Sequence, residues 1–430
     1  MKTCRLFAIV GSMIIVVLFA QSTCADNYIG YGWSAADTPS EAVSEALNMA
    51  RQTLPDREVG YILYFTTIDY DSQELLQAFQ QQTAPDVQIH GATSAVGTMG
   101  SNNWSEGGSV ALLAFATEQI AFGVGHAEIG EDPIEAGYRA AVAAQKNAGK
   151  NDELPKIVLM SGTIGYEENV IQGIETVFGS KTPILGGTAS DNDLSGQWKQ
   201  YSRGMVTTNG VVLTALYTDL EIGFEYSSGV GYLKQELSGI VTKSEGHIIY
   251  EIDYRPAADV YNEWVNGSIT EQVETGGSVV FEGIYDPLAH EVFSETTDKK
   301  HYLAIHPIQV ILPEKALQVV AMTEEGQKIT MLHGDKNAHR NRPAANALLA
   351  RARGPQNAIA GAVLFTCGCT KLILETDEEI KNIVLRVNKV LNDKPFIGAF
   401  TAGEQGYILG IGNRHQNIVS LVIVFGEEQS

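Results

Sequence analysis

Basic residues are scarce in this chain of 430 residues: 29 Lys and Arg stand against 51 Asp and Glu, a formal net charge of −22. A protein that grips a phosphate backbone needs clustered cations to displace counterions, so the balance excludes nucleic acid as a partner. Cysteine is scarcer still, with four in all, too few for a disulfide scaffold. Two of them form Cys367-Gly-Cys369, whose separation along an extended chain would strain any bridge between them. The nine histidines are scattered and show no pair at ligand spacing, so no dedicated metal site is expected. There is no Gly-x-x-x-x-Gly-Lys-Ser/Thr and hence no P-loop. Gly30-x-Gly32-x-x-Ala35 lacks the long strand and the acidic partner of a dinucleotide fingerprint. Asp191-Asn-Asp193-Leu-Ser195-Gly196 opens like a calcium loop, but Ser202 stands where a bidentate Glu is required. No cofactor is predicted.

Long apolar runs are also lacking, with one exception. Lys2 and Arg5 precede an apolar stretch from Leu6 to Ala20, and small residues follow as far as Ala25. That order predicts a secretory signal peptide over residues 1–25, cleaved after Ser22 or Ala25. The run is short for a spanning helix. Gln21 and Thr23 are poor neighbours for a lipid anchor on Cys24. The expectation is an exported protein, periplasmic or extracellular, that does not span the membrane once the leader is removed.

Glycine is plentiful, at 43 residues, and much of it falls in a repeated pattern. The first helix is well marked: Thr38 can cap, Pro39 fits the first position, and Glu41 completes a capping box. Then a β-rich run at 59–66 leads to a helix over 71–82 and a strand ending in Ile89-His-Gly91-Ala-Thr93-Ser94. The same order recurs at 157–161, 168–178 and 183–191, the last containing Gly186-Gly187-Thr188. It recurs again at 362–366, 377–391 and 396–404, the last containing Gly398, Thr401, Gly403 and Glu404. Apolar strands follow each copy. Between the second and third copies lies a different segment. It reads as a hairpin at 240–252, a helix at 256–265, strands at 278–284, 305–312 and 316–322, and a helix at 341–352. Parallel strands joined by helices need both sheet faces covered. The fold class predicted is therefore α/β, with two layered α/β halves built from repeated strand–helix–strand–Gly-turn units with mixed sheets. The chain divides into the leader at 1–25, an N-terminal domain at 26–235 and a C-terminal domain at 236–430.

These stretches carry a family resemblance. Gly30-Tyr-Gly-Trp-Ser34, Ile184-Leu-Gly-Gly-Thr-Ala-Ser-Asp191, Gly246 to Ala257, Leu364-Phe-Thr-Cys367, Gly398 to Gly406 and His415-Gln-Asn417 resemble, in order and spacing, the FIST sensory-domain family with its N-terminal and C-terminal halves. The resemblance implies a ligand-sensing module, with small molecules such as amino acids as ligands. No output domain is recognised, so the signal would pass to a separate membrane signalling protein, or the protein would simply bind and buffer its ligand. Cys369 and Lys371 depart from the more basic stretch expected in the family.

In open α/β sheets ligands gather beyond the carboxyl ends of strands, and glycine there permits a sharp turn or a close approach. The ligand-binding candidates are Gly91, Thr93, Ser94, Gly186, Gly187, Thr188, Asp191, Cys367, Gly398, Thr401, Gly403, Glu404 and Asn417. Asp191 or Glu404 would pair with a ligand cation. The expected function is binding of a small polar metabolite without catalysis. Two alternatives are a thiol-dependent hydrolase using Cys367 with His415, and a non-catalytic interaction scaffold.

Overall fold

The computed structural model describes residues 27–54, 57–193, 195–227 and 231–429. The leader predicted over 1–25 lies outside them. Three copies of one α/β unit account for most of the chain, as the repeated pattern predicts. The first unit runs through the strand Ile29–Ser34, helix Pro39–Gln52, strand Tyr61–Thr66, helix Ser72–Gln82, strand Gln88–Thr93, hairpin Gly97–Gly100 with Asn103–Glu106, and strand Val110–Phe115. The second repeats this order from Ala121–Glu128 to Gly210–Tyr217. The third opens with Ile222–Ser227, resumes at helix Lys336–Ala352 and closes with Ser420–Gly426.

Each unit builds a six-stranded mixed sheet with one strand order. The opening strand pairs with the closing strand, which pairs antiparallel with the middle strand; the middle strand then runs parallel to the next. The sixfold count is completed by a hairpin borrowed from another unit. The hairpin Gln200–Ser202/Met205–Thr207 of the second unit extends the first sheet, Glu404–Ile408/Gly412–Gln416 of the third extends the second, and Gly97–Gly100/Asn103–Glu106 of the first extends the third. The exchange closes in a ring. It covers an edge that would otherwise present unpaired backbone groups.

Local chemistry explains the helices. Thr38 Oγ1 accepts from Glu41 N and caps the first helix, and the hydroxyl donates to the Glu41 carboxylate rather than leaving it to the Thr38 backbone N–H as a full capping box would. Asp71 and Asp132 cap the next two in the same way. Ala42, Val43, Ala46, Leu47 and Ala50 pack with Tyr64, Leu75 and Phe79 on the outer face of the first sheet. The inner faces meet in one shared core, where Phe65 and Phe365, at matching positions of the first and third units, touch edge to face at 5.3 Å. Fully burying such a ring contributes about 1.5–3 kcal/mol.

Between the first strand and first helix of the third unit is an insertion, Tyr232 to Gly334, folded as a nine-stranded sheet with its own core around Tyr261, Trp264 and Leu317. Here one sequence expectation fails. The apolar run 278–284, read as a strand, is a two-residue strand at Gly277–Ser278 followed by the helix Val280–Tyr285. A short apolar run has no periodicity to separate strand from helix.

Candidate functional site

The three units point the carboxyl ends of their parallel strands at one another. Ser190 N donates to Thr93 O at 3.1 Å, Ala95 N to Phe400 O at 3.0 Å, and Ala402 N to Thr188 O at 3.1 Å. Each pair joins two different units, so the three turns form a closed triangle. The inserted sheet lies over one side of it. Between them is a cavity of about 390 Å³. From the units it is walled by Ala95, Val96, Ile164, Ser190, Asp191, Cys367, Cys369, Lys371, Thr401 and Asn417. From the insertion come His247, Val280, His306, Ile308, Gln318, Val319 and Val320. Most of this lining is apolar.

Two polar atoms in the wall have no partner. Asp191 is 2% exposed; its Oδ2 accepts from Gln197 N at 2.6 Å and Ser195 Oγ at 3.4 Å, while its Oδ1 is buried and unbonded. Asn417 is 1% exposed. Its Nδ2 meets His415 Nε2 at 3.3 Å, and its Oδ1 is likewise buried and unbonded. A buried acceptor left unpaired costs about 1–3 kcal/mol, and more when charged. Both residues line the one apolar cavity, and their unpaired acceptors fit a ligand that brings hydrogen-bond donors.

Of the thirteen predicted site residues, Asp191, Cys367, Thr401 and Asn417 line this cavity. The other nine lie outside its wall. Gly91, Gly186, Gly187 and Gly398 sit inside strands rather than in turns. Their missing side chains make room for protein: a Cβ on Gly187 would fall 2.5 Å from Thr401 Cγ2, and one on Gly186 1.9 Å from Met160 O. Gly403 lies against the His415 ring in the same way. Thr93 Oγ1 accepts from Lys199 N, Ser94 Oγ donates to Gly97 O, and Thr188 Oγ1 donates to Glu167.

Glu404 is fully buried and bonded internally, with Thr401 Oγ1 donating to Oε1 at 2.6 Å and Val419 N to Oε2 at 3.3 Å. Burial first, and then the nearby Cys367, push its carboxyl well above the usual range. A group held toward its neutral form is a poor partner for a ligand cation, so of the two carboxylates predicted for that role Asp191 has the geometry. His415 is taken up by Gln405 and Asn417. The imidazole beside the cysteines is His306, whose Nδ1 lies 3.8 Å from Cys369 Sγ.

Sequence reading missed the contribution of the insertion, including His306, His247 and Gln318. Nothing in their local pattern marks them. Cys369 is not among the predicted site residues, because the sequence argument treats Cys367-Gly-Cys369 as extended chain. Gly368 breaks the strand, with φ −55° and ψ −26°, and both cysteines reach the cavity.

A second cavity, about 460 Å³, lies between the helix Glu167–Phe178 and the inserted sheet, lined by Glu168, Glu175, His290, Glu324 and Arg414 among others. Among the described residues, no group of three or more His, Cys, Asp or Glu side chains is placed to hold a metal ion. Nor is any helix among them long and apolar enough to cross a membrane.

Two family models match the chain in sequence. Residues 60–255 match the FIST N domain and residues 257–407 the FIST C domain. An uncharacterised protein of Methanocaldococcus jannaschii is 26% identical over 221 residues, covering 49% of this chain and 42% of the relative. The chain thus spans less than half the length of that relative. Among solved structures, a cyanuric acid hydrolase from A. caulinodans aligns over 93% of this chain and 99% of its own, at 8% identity and a TM-score of 0.38. A second cyanuric acid hydrolase structure aligns over the same shares, at 8% identity and a TM-score of 0.34. Both scores fall below the level that marks a common fold.

Proposed function

Because the chain belongs to the FIST family, whose domains are sensory and ligand-binding, we propose that it is an exported small-molecule sensor and that its ligand occupies the cavity at the meeting of the three units and the insertion. The ligand is a small molecule with an ammonium or similar donor group and an apolar body, an apolar amino acid or a related amine. The observation that carries this reading is the pair Asp191 and Asn417, which line an apolar cavity and whose Oδ1 atoms are buried acceptors without partners. The ammonium would pair with Asp191 and donate to Asn417. The body would lie against Ile308, Val319 and Val320. Burying polar acceptors without partners is costly, and a ligand that supplies donors recovers that cost on binding.

The cavity wall draws on all three units and on the insertion, so a bound ligand touches elements that are otherwise joined through the shared core. Ligand binding would tighten the insertion against the three-unit ring. A separate membrane protein would read that change. Export rests on the residue order of the 1–25 leader.

The test is a thermal-shift screen of the full chain against amino acids and simple amines. A ligand at 100 times its Kd raises stability by about 2.7 kcal/mol. A dose-dependent rise with apolar amines, lost in Asp191→Ala, supports the reading. A flat response on folded protein would sink it and favour the interaction-scaffold alternative.

A further inference from the structure

The same cavity wall carries two thiols and an imidazole, an arrangement that ligand capture by Asp191 and Asn417 does not use. The strand Ile359–Cys367 ends one residue before the short helix Cys369–Ile373, and the break at Gly368 brings both cysteines to one cavity. Cys367 is buried, and its thiol is held against Cys369; that hydrogen bond, and then burial, push the Cys367 thiol well above its ordinary value. Cys369 is half-buried. Its Sγ lies 3.8 Å from His306 Nδ1.

The imidazole is oriented. His306 Nε2 lies 2.9 Å from the carbonyl oxygen of Val280. A carbonyl oxygen only accepts, so Nε2 carries the ring proton and Nδ1 faces the Cys369 thiol as an acceptor. Burial also disfavours the charged ring. Nucleophile, base and a group that orients the base therefore stand in a line, the geometry that activates a thiol. The backbone N–H groups of Cys367 and Gly368 donate to Val419 O and Thr401 O, so neither is free to stabilise an oxyanion as an acyl-transfer site would need. What stands next to the attacking sulfur is a second thiol.

We propose that Cys369, His306 and Cys367 form a thiol–disulfide exchange site that reacts with a small organic disulfide entering the cavity. His306 Nδ1 takes the Cys369 proton. The Cys369 thiolate attacks one sulfur of the disulfide, whose S–S bond breaks; one thiolate leaves and takes up the proton held on His306. The product is a mixed disulfide on Cys369. Cys367 then gives its proton to water and attacks the Cys369 sulfur, expelling the second thiolate, which water protonates. Two protein thiols are oxidised to one Cys367–Cys369 disulfide, and the organic disulfide is reduced to two thiols. The inference holds whatever ligand the cavity binds.

The experiment treats the folded full chain with 2-hydroxyethyl disulfide, quenches with acid, and weighs the tryptic peptide spanning residues 354–371. The wild-type peptide should lose two hydrogens. Cys367→Ser should trap one hydroxyethylthio group on Cys369, and Cys369→Ser should stay unmodified over the same interval. Adding His306→Ala to Cys367→Ser should slow the trapping by about tenfold or more. Cys367→Ala serves if the serine variant shifts the melting temperature. A wild-type peptide of unchanged mass, an adduct that forms on Cys367 when Cys369 is replaced, or trapping at an undiminished rate without His306 would each overturn the proposal.

Discussion

Gln405 Nε2 donates to Thr188 Oγ1 at 2.8 Å across 217 residues of sequence. Gln405 sits on the hairpin that the third unit lends to the second, and Thr188 ends the second unit's parallel strand. Both are buried, and Thr188 passes the chain on to Glu167. The ring of lent hairpins is therefore sewn by side chains as well as by backbone.

Replacing Gln405 with Ala should destabilise the fold by about 1–3 kcal/mol, since it leaves Thr188 and the His415 ring short of a buried partner. Urea unfolding followed by fluorescence and by circular dichroism should give coincident transitions in wild type and variant. Units that unfolded separately would contradict the closed exchange.

Stability should fall on mild acidification, and His90 is one named cause. Its Nδ1 meets Thr214 Oγ1 at 2.8 Å and its Nε2 meets Ser161 Oγ at 2.9 Å, joining the first and second sheets. Burial lowers its pKa from 6.5 to about 3. The unfolded chain then binds more protons than the folded one between those values, so this contribution is complete above about pH 6.5 and is lost progressively toward pH 3. Each unit of separation is worth about 1.4 kcal/mol. His290, lowered to about 4, acts in the same direction. The urea midpoint should drop between pH 7 and pH 5. In His90→Gln that drop should be shallower, on top of a lower starting stability.

Glu404 should behave as a structural group held neutral. Glu404→Gln keeps the shape and should change stability by less than about 1 kcal/mol. Glu404→Ala removes the acceptors of Thr401 Oγ1 and Val419 N and leaves a void, and should cost about 2–4 kcal/mol. Equal and large losses in both variants, read from denaturant midpoints, would mean that the carboxylate is charged and paired in the folded protein.

The repeat was legible in the sequence because each copy carries its own periodic signals: the capping box at Thr38 to Glu41, and the β-rich runs closed by a glycine. What no local signal reports is where a hairpin docks. The pairing of Glu404–Ile408 with Ile184–Thr188 depends on contacts hundreds of residues apart. The glycines were found for a reason that the packing revises. Gly186 and Gly187 admit Met160 O and the Thr401 methyl rather than a ligand. Asp191 was legible as a short polar residue after a strand end. His306 was not, since it becomes part of the site only when the insertion folds over the ring.

Asp191 supplies the sharpest test of the cavity's chemistry. Its Oδ2 is fixed by Gln197 N, which holds the side chain in one orientation. Asp191→Asn keeps that shape and removes the charge. A hydrogen bond to a charged group contributes about 1.5–3 kcal/mol, so the affinity of an amine ligand should fall by roughly 10- to 100-fold while the melting temperature of the free protein stays close to wild type. Asn417→Ala removes a neutral acceptor and should cost less, about 0.5–1.5 kcal/mol of binding. The two side chains face one cavity from different units, so a ligand that bridges them should show a coupling of at least about 0.5 kcal/mol in the double variant. Titration calorimetry of the four proteins with one amine would measure it. Additive losses would mean that the ligand reaches only one of the two acceptors, and an unchanged affinity in Asp191→Asn would place the binding site elsewhere.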